Sequence, residues 1–426
     1  MNGSGPTCSQ RNISKFGYSL LNIKTSPTPG VGVVIKDIKV KIAHGQEARK
    51  AKFKVPFGTV SITKEARSLI NSVIDSGWVT KGKYVKAFEE KFAALFGVKY
   101  GVAVSSGTDA DALACAVLYD FGAKRGDEII VPALTFVATG NAVFQAGFKP
   151  VFVDVKRETL NIDPALIERA ITSKTRAIMP VHLMGKPADM DKVRAIAKKH
   201  KLFVIEDAAE AHGAEYHGEK IGAMADMACF SLYAAHIITT IEGGIVITNN
   251  EKMAQALRSL RNHGIEGKFT FQRIGFSAKM NELEASVGLG NIKIFHKILA
   301  KRRRNVLYLI KAFKRFEKYF ITLQEDKGEK LGPHAFSIIV RKGAGFSKDE
   351  FVSYIEANGV DSRNLFYSIP TQCPSYAFLG HKLGDFPEAE YCSDHGTHIG
   401  CHQDLEIGQL DHAVKTVENF LRRGRF

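Results

Sequence analysis

The sequence predicts an α/β protein: a large domain with a mostly parallel sheet flanked by helices, followed by a smaller α+β domain at the C-terminal end. Short apolar runs of buried-strand length recur at 100–104, 128–132, 150–154, 177–181, 202–206, 227–232 and 244–248. Helical patterns lie between many of them, the alternation that builds a parallel sheet. The 426 residues are 45% hydrophobic, enough for a substantial core and for two or three domains' worth of chain.

Taken in order, residues 1–54 are rich in Ser, Thr, Pro and Gly to about 30 and then basic, with a β-branched run from Val33 to Val40. They read as an extension that is largely disordered or loosely packed. The large domain spans 55–300, starting at Val55-Pro-Phe-Gly. Leu69, Ile70, Val73 and Ile74 set a helix over 63–75, and Val85, Phe88, Phe92, Leu95 and Phe96 set another over 84–96. A helical stretch of about 280–316 leads into the small domain, 301–426, with Phe336-Ser-Ile-Ile-Val340 as a strand. No internal repeat or heptad array is present.

Composition narrows the partners. Lys and Arg number 59 against 44 Asp and Glu, a net charge of +15 that suits nucleic acid, acidic lipid or an acidic small molecule such as a nucleotide diphosphate sugar. The basic run Lys301-Arg-Arg-Arg304 reads as a solvated helix face, and no basic residues interleave with aromatics as on an RNA-binding sheet, so no nucleic-acid partner is expected. No run of about 18 apolar residues would span a membrane, and the first residues lack a secretory apolar segment. The six cysteines, at 8, 115, 229, 373, 392 and 401, show neither CxC nor CxxC spacing. Neither a disulfide framework nor a metal site is expected, and a cytoplasmic setting fits.

Three segments carry chemistry by position. Ser105-Ser-Gly-Thr108 follows the run 100–104 and opens a helix, placing small hydroxyls and backbone N–H groups at a positive helix terminus, a phosphate site by physics; an ordinary Ser/Gly cap has about even odds there. Asp207 in Val204-Ile-Glu-Asp207-Ala-Ala-Glu-Ala-His212-Gly ends a strand where α/β folds keep their sites, although an Asp so placed is more often a helix cap. Phe136 in Pro132-Ala-Leu-Thr-Phe136 sits beside a strand and by default belongs to the core.

Taken with Ser76-Gly-Trp78-Val-Thr80-Lys-Gly82, Ser231-Leu-Tyr-Ala-Ala-His236-Ile-Ile-Thr-Thr-Ile-Glu242-Gly-Gly, Gly275-Phe-Ser277-Ala-Lys-Met-Asn-Glu-Leu-Glu-Ala and His398-Ile-Gly-Cys-His402, these segments resemble the DegT family of sugar-nucleotide aminotransferases, pyridoxal-phosphate enzymes of fold type I, the aspartate aminotransferase fold. The resemblance runs from about 55 to the C-terminus. It implies that Ser106, Gly107, Thr108 and Ser231 grip the cofactor phosphate, that Asp207 pairs with the pyridine nitrogen, that Glu210 meets the ring hydroxyl, and that Phe136 stacks on the ring. Ser277 stands where the family has an Asn that reaches the neighbouring subunit's phosphate. Trp78, Thr80, His182 and Arg363 are implied near the substrate, and a homodimer with shared sites is the default assembly.

His236 occupies the slot of the family lysine that holds pyridoxal phosphate as a Schiff base, and no lysine lies between Lys220 and Lys252. Histidine forms no lasting Schiff base, but with a pKa of about 6.5 it serves as a general base. A similar exchange marks the 4-keto-6-deoxyhexose 3-dehydratases, in which pyridoxamine phosphate forms a ketimine with the keto sugar and the histidine takes a proton so that the C-3 hydroxyl leaves. One sub-branch adds an iron–sulfur cluster on closely spaced cysteines. This chain lacks such spacing, so the resemblance implies the cluster-free type, with glutamate as amino donor. A sugar-nucleotide aminotransferase, a homologue whose lysine was replaced, a catalytically silent binding protein and a merely packed His236 stay open.

Overall fold

The computed structural model describes residues 53–366 and 368–424, so the extension expected over 1–54 lies outside the described residues except for its last two. Seven strands form one sheet: β1 Tyr100–Val104, β2 Glu128–Pro132, β3 Lys149–Val153, β4 Thr175–Ile178, β5 Phe203–Asp207, β6 Met227–Ser231 and β7 Gly244–Thr248, in the order β1-β7-β6-β5-β4-β2-β3. Each matches one of the apolar runs, because strands covered by helices on both faces need no polar alternation. β7 runs against its two neighbours and the other six strands are parallel. The C-terminal ends of the parallel strands therefore open on one edge of the sheet, where the connecting loops gather.

Two helices precede β1. Lys64–Ser76 is capped by Thr63, whose Oγ1 accepts the Ala66 N–H at 3.0 Å, and it ends at Gly77 with φ 67°, a left-handed cap that glycine adopts without strain. Lys83–Phe96 begins after Gly82, which has no side chain to cap it. The carboxylate of Glu282, distant in sequence, replaces the cap by accepting the N–H groups of Gly82, Tyr84 and Val85 at 3.0, 2.9 and 2.8 Å.

Glu282 also starts the longest helix, Glu282–Phe313, which opens with an Asn281/Glu284 capping box. Its first half adds Ala285, Leu289, Phe295 and Ile298 to the core around Phe88, Phe92 and the large sheet. Its last turns add Val306, Leu309, Ile310 and Phe313 to a second core beside a four-stranded antiparallel sheet. That sheet runs Phe320–Thr322, Phe336–Val340, Gly396–Ile399, Ser362–Asn364. The helix is continuous through 300 and 301, so both cores share it. Val55 joins the second core: its N–H donates to the Gly359 carbonyl at 3.0 Å and its carbonyl accepts from the Asp361 N–H at 2.9 Å.

The run 301–304 is not the solvated face that its charge suggests. Arg302 is 2% exposed and donates to Gln403 Oε1 at 3.0 Å and to the Ala235 carbonyl at 3.4 Å. Arg303 donates to the Leu331 carbonyl at 2.7 Å and pairs with Glu325, and Arg304 donates to the Leu405 carbonyl at 2.9 Å. A four-residue charge run spans more than one helical turn, so at least one member must turn inward when the helix is packed on both sides.

Glu282→Ala leaves three helix-terminal N–H groups without their acceptor. The expected loss is about 3 kcal/mol of stability, read from the shift in urea midpoint at constant slope.

Candidate active site

The gathered strand ends enclose a cavity of about 480 Å³. After β1, Ser106 caps the helix Gly107–Val117: its Oγ accepts the Asp109 N–H at 3.0 Å and donates to Asp109 Oδ2 at 2.8 Å. Gly107 and Thr108 turn the first helical turn toward the cavity, and Ser231 from the end of β6 faces them. A Cβ on Gly107 would sit 2.8 Å from Ser231 Cβ, so the approach that brings this hydroxyl to the helix terminus requires glycine. Backbone N–H groups, a positive helix end and three hydroxyl side chains in one recess suit a phosphate.

Across the cavity, Asp207 ends β5. Its Oδ2 accepts from Thr139 Oγ1 at 2.8 Å, its Oδ1 accepts the Ala209 N–H at 3.2 Å, and Thr135 meets Thr139 at 2.7 Å. Burial raises its pKa; the bonds from Thr139 and Ala209 oppose that, and Glu210 adds to it. A carboxylate so enclosed, with no cationic side chain bonded to it, suits a cationic ligand group. Phe136 is 63% exposed and lines the cavity, which decides against a core role. Glu210 also lines it, its Oε2 accepting the Met184 N–H at 2.7 Å.

His236 lies on the opposite wall, in the loop after β6. Ile237 and Ile238 are buried beneath it, the Ile238 N–H donates to His212 Nδ1 at 3.1 Å, and the Thr240 N–H donates to the Leu232 carbonyl at 2.9 Å. The two isoleucines peg the loop into the core and leave His236 facing the cavity. The His236 ring stands 5.7 Å from that of His212 and 5.1 Å from that of His334, and its Nδ1 is buried without a hydrogen-bond partner. Burial, then His334, His212 and Arg302, hold its pKa well below the ordinary value, so the ring is a neutral base. Among the described residues no lysine lines the cavity.

The profile of the DegT/DnrJ/EryC1/StrS aminotransferase family matches residues 60–418. The chain belongs to this family. A GDP-perosamine synthase of Caulobacter vibrioides is 36% identical over 365 residues, covering 83% of this chain and 95% of that protein. A GDP-4-keto-6-deoxy-D-mannose 3-dehydratase of Yersinia pseudotuberculosis is 30% identical over 399 residues, covering 88% of this chain and all of the relative (100%). The solved structure of the E. coli GDP-4-keto-6-deoxy-D-mannose-3-dehydratase with bound hydrated pyridoxal phosphate superposes with a TM-score of 0.79 at 28% identity, covering 86% of this chain and 99% of that one. The fold is therefore pyridoxal-phosphate fold type I, and the chain is an enzyme of a pyridoxal-phosphate-dependent family.

For a DegT-family chain the cavity fits that cofactor: a phosphate recess, a carboxylate for a ring nitrogen and an exposed aromatic wall lie around one space. The structure thus brings Ser106, Gly107, Thr108, Phe136, Asp207, Glu210, Ser231 and His236 together. Arg363 lies in an adjoining cavity of about 310 Å³ that shares Tyr233, paired with Asp361 at 2.5 Å and stacked over Phe57 at 4.8 Å. Trp78, Thr80 and Ser277 are exposed and line neither cavity.

The expected substrate contact of His182 is corrected by the structure. Its side chain is fully enclosed, with Nε2 3.1 Å from Glu206 and Nδ1 accepting the Ala188 N–H at 3.0 Å. Val181 and Leu183 line the cavity instead, on either side of the buried His182. Sequence reasoning also missed Asp111, Thr139 and His334. The first two follow cavity residues by three or four helical positions, a readable signal; His334 comes from the small sheet's entry loop and gives none. Among the described residues no group of His, Cys, Asp and Glu is placed to hold a metal ion.

His212 and His398 are held down to about 3, chiefly by burial. Their folded pKa values lie below the unfolded value of about 6.5, so the unfolded chain takes up their protons first and stability is lost as pH falls below that value. His398→Gln is expected to lose about 2 kcal/mol less than the unmodified protein between pH 7 and pH 5, compared by urea unfolding at each pH.

Proposed function

We propose that this protein removes the C-3 hydroxyl of a nucleotide-linked 4-keto-6-deoxyhexose, with pyridoxamine phosphate as coenzyme and His236 as base. The observation that carries the reading is the position of His236 on the cavity wall, where no lysine among the described residues is placed to anchor an aldehyde. The dehydratase relatives support the substrate class by name.

Bound here, the coenzyme would supply an amino group that condenses with a keto sugar and an electron sink for the bonds next to it. Ser106, Gly107, Thr108 and Ser231 would hold its phosphate and Phe136 would cover a ring face. Asp207 keeps the ring nitrogen protonated. His236 would take the proton at the C4′ carbon, a transfer suited to a base that is uncharged at neutral pH. The cavity of about 310 Å³ beside Arg363 and another of about 440 Å³ beside Asn364 and His398 adjoin it, giving room and a cation for the sugar and its diphosphate. Glutamate would supply the amino group that regenerates the amine form, with no iron–sulfur cluster required. A second copy of the chain covers exposed apolar side chains such as Trp78, Phe269, Phe271 and Ile274, making a homodimer in a cytoplasmic setting. Among the described residues no helix is long and apolar enough to cross a membrane.

A transamination reading has the 36% identity to a perosamine synthase in its favour. It needs a proton carrier other than a lysine of this cavity.

Glutamate added to protein loaded with pyridoxal phosphate is expected to convert the aldehyde absorption band to that of the amine, after which a 4-keto-6-deoxy sugar nucleotide loses its C-3 hydroxyl. Amino-sugar product in place of the deoxy product supports transamination, and cofactor binding without conversion supports a silent homologue. Asp207→Asn should abolish turnover with the fold intact. His236→Lys should give a borohydride-reducible visible band; its absence would remove His236 from the anchoring position.

A further inference from the structure

A buried cation without a counter-ion lies behind the loop that carries His236. Arg302 sits in the long helix that both cores share, is 2% exposed, and forms no ion pair among the described residues. Its guanidinium is bonded by neutral oxygens alone. Nε donates to Gln403 Oε1 at 3.0 Å, Nη2 to the Ala235 carbonyl at 3.4 Å, and Nη1 to the Pro333 and His334 carbonyls at 3.5 Å each. One side chain thus joins the backbone beside His236 to the backbone of His334, two segments distant in sequence. Burial pulls its pKa down, and Asp404 and the Cys401 thiol oppose that without bonding to it. A charge enclosed with no opposite charge bonded to it is costly, and an apolar side chain of similar length would fill this helix position at less cost.

The surroundings of His236 give that cation a use. The rings of His212 and His334 stand 5.7 and 5.1 Å from its ring, and its Nδ1 is sealed without an acceptor. A second proton on the ring would need such an acceptor. Asp207, Glu210 and Glu242 line the cavity with His236, but none of them raises its proton affinity. Burial holds all three rings down, and Arg302 lowers each further.

We infer that Arg302 is a positioning residue for the base: from the shared helix it fixes the backbone at Ala235 and His334 and sets a positive charge behind the His236 ring. The inference rests on the reading of His236 as base. Arg302 touches neither cavity nor substrate and acts through the histidine. A like charge disfavours the imidazolium, so His236 stays the free base over the range around 6.5 where an ordinary histidine is half protonated. Removing the charge moves its titration upward.

The test follows the His236 ring by NMR titration of the full chain with isotope-labelled histidine, using His236→Asn to assign its signal. In the unmodified protein the signal should keep its neutral position down to the lowest pH at which the chain stays folded. In Arg302→Met, which fills the space without charge, the midpoint should rise by roughly one pH unit or more, a tenfold gain in proton affinity. Arg302→Lys keeps the charge and should hold the midpoint near that of the unmodified protein. A merely structural role would move both variants alike. Arg302→Gln carries the test if the Met variant does not fold. A midpoint no higher in the folded uncharged variant, or raised equally in the Lys variant, overturns the inference. The titration needs no coenzyme, so either result leaves the proposed reaction standing; that reading fails separately, if the unmodified protein does not bind pyridoxal phosphate.

Discussion

The cavity exists because two glycines let three strand ends meet. The register that pairs Val104 and Ser231 with Gly244 brings β1 and β6 to either side of β7, and the chain leaving β1 must turn at once into a helix over that edge. A Cβ on Gly244 would lie 2.1 Å from the Ser106 carbonyl oxygen, and one on Gly107 would press into Ser231. With hydrogen at both places, the helix terminus settles directly on the strand ends, and the positive end of the helix opens toward Asp207 at the end of β5. Any larger residue would lift the helix and separate the phosphate recess from the carboxylate.

That arrangement divides the cavity into regions of opposite electrostatic character. The helix terminus attracts anions, Asp207 attracts cations, and His236 stands on the third wall with the rings of His212 and His334 against it. Burial is the first cause holding the pKa values of these three rings down, and the buried Arg302 adds a cation that opposes a proton on any of them. The arginine is itself oriented by Gln403 and by the carbonyl of Ala235, next to His236 in the chain. A base that stays unprotonated well below neutrality follows from packing on the far side of the loop.

Much of this was legible in the sequence because burial leaves a mark. The seven apolar runs gave seven strands, and the small residues and carboxylates at their ends gave Ser106, Gly107, Asp207 and Ser231. Direction was not legible: the run 244–248 is as apolar as its parallel neighbours, and only pairing shows that it is reversed. Sidedness failed at His182, where the same strand end sends alternate residues to opposite faces. Charge misled at Arg302, since a cation that donates to buried carbonyls and an amide looks in sequence like one that meets water.

The pairing of Val55 with the Gly359–Asp361 segment bears on how the protein is made. His402 adds a contact of 3.1 Å to the carbonyl of Pro56, so residues separated by some three hundred positions finish one core. During synthesis the early segment must wait, its apolar side chain unmatched, until nearly the whole polypeptide has left the ribosome. The large sheet can assemble from successive units as they emerge; the small core closes last, with the Val55 segment joined to it.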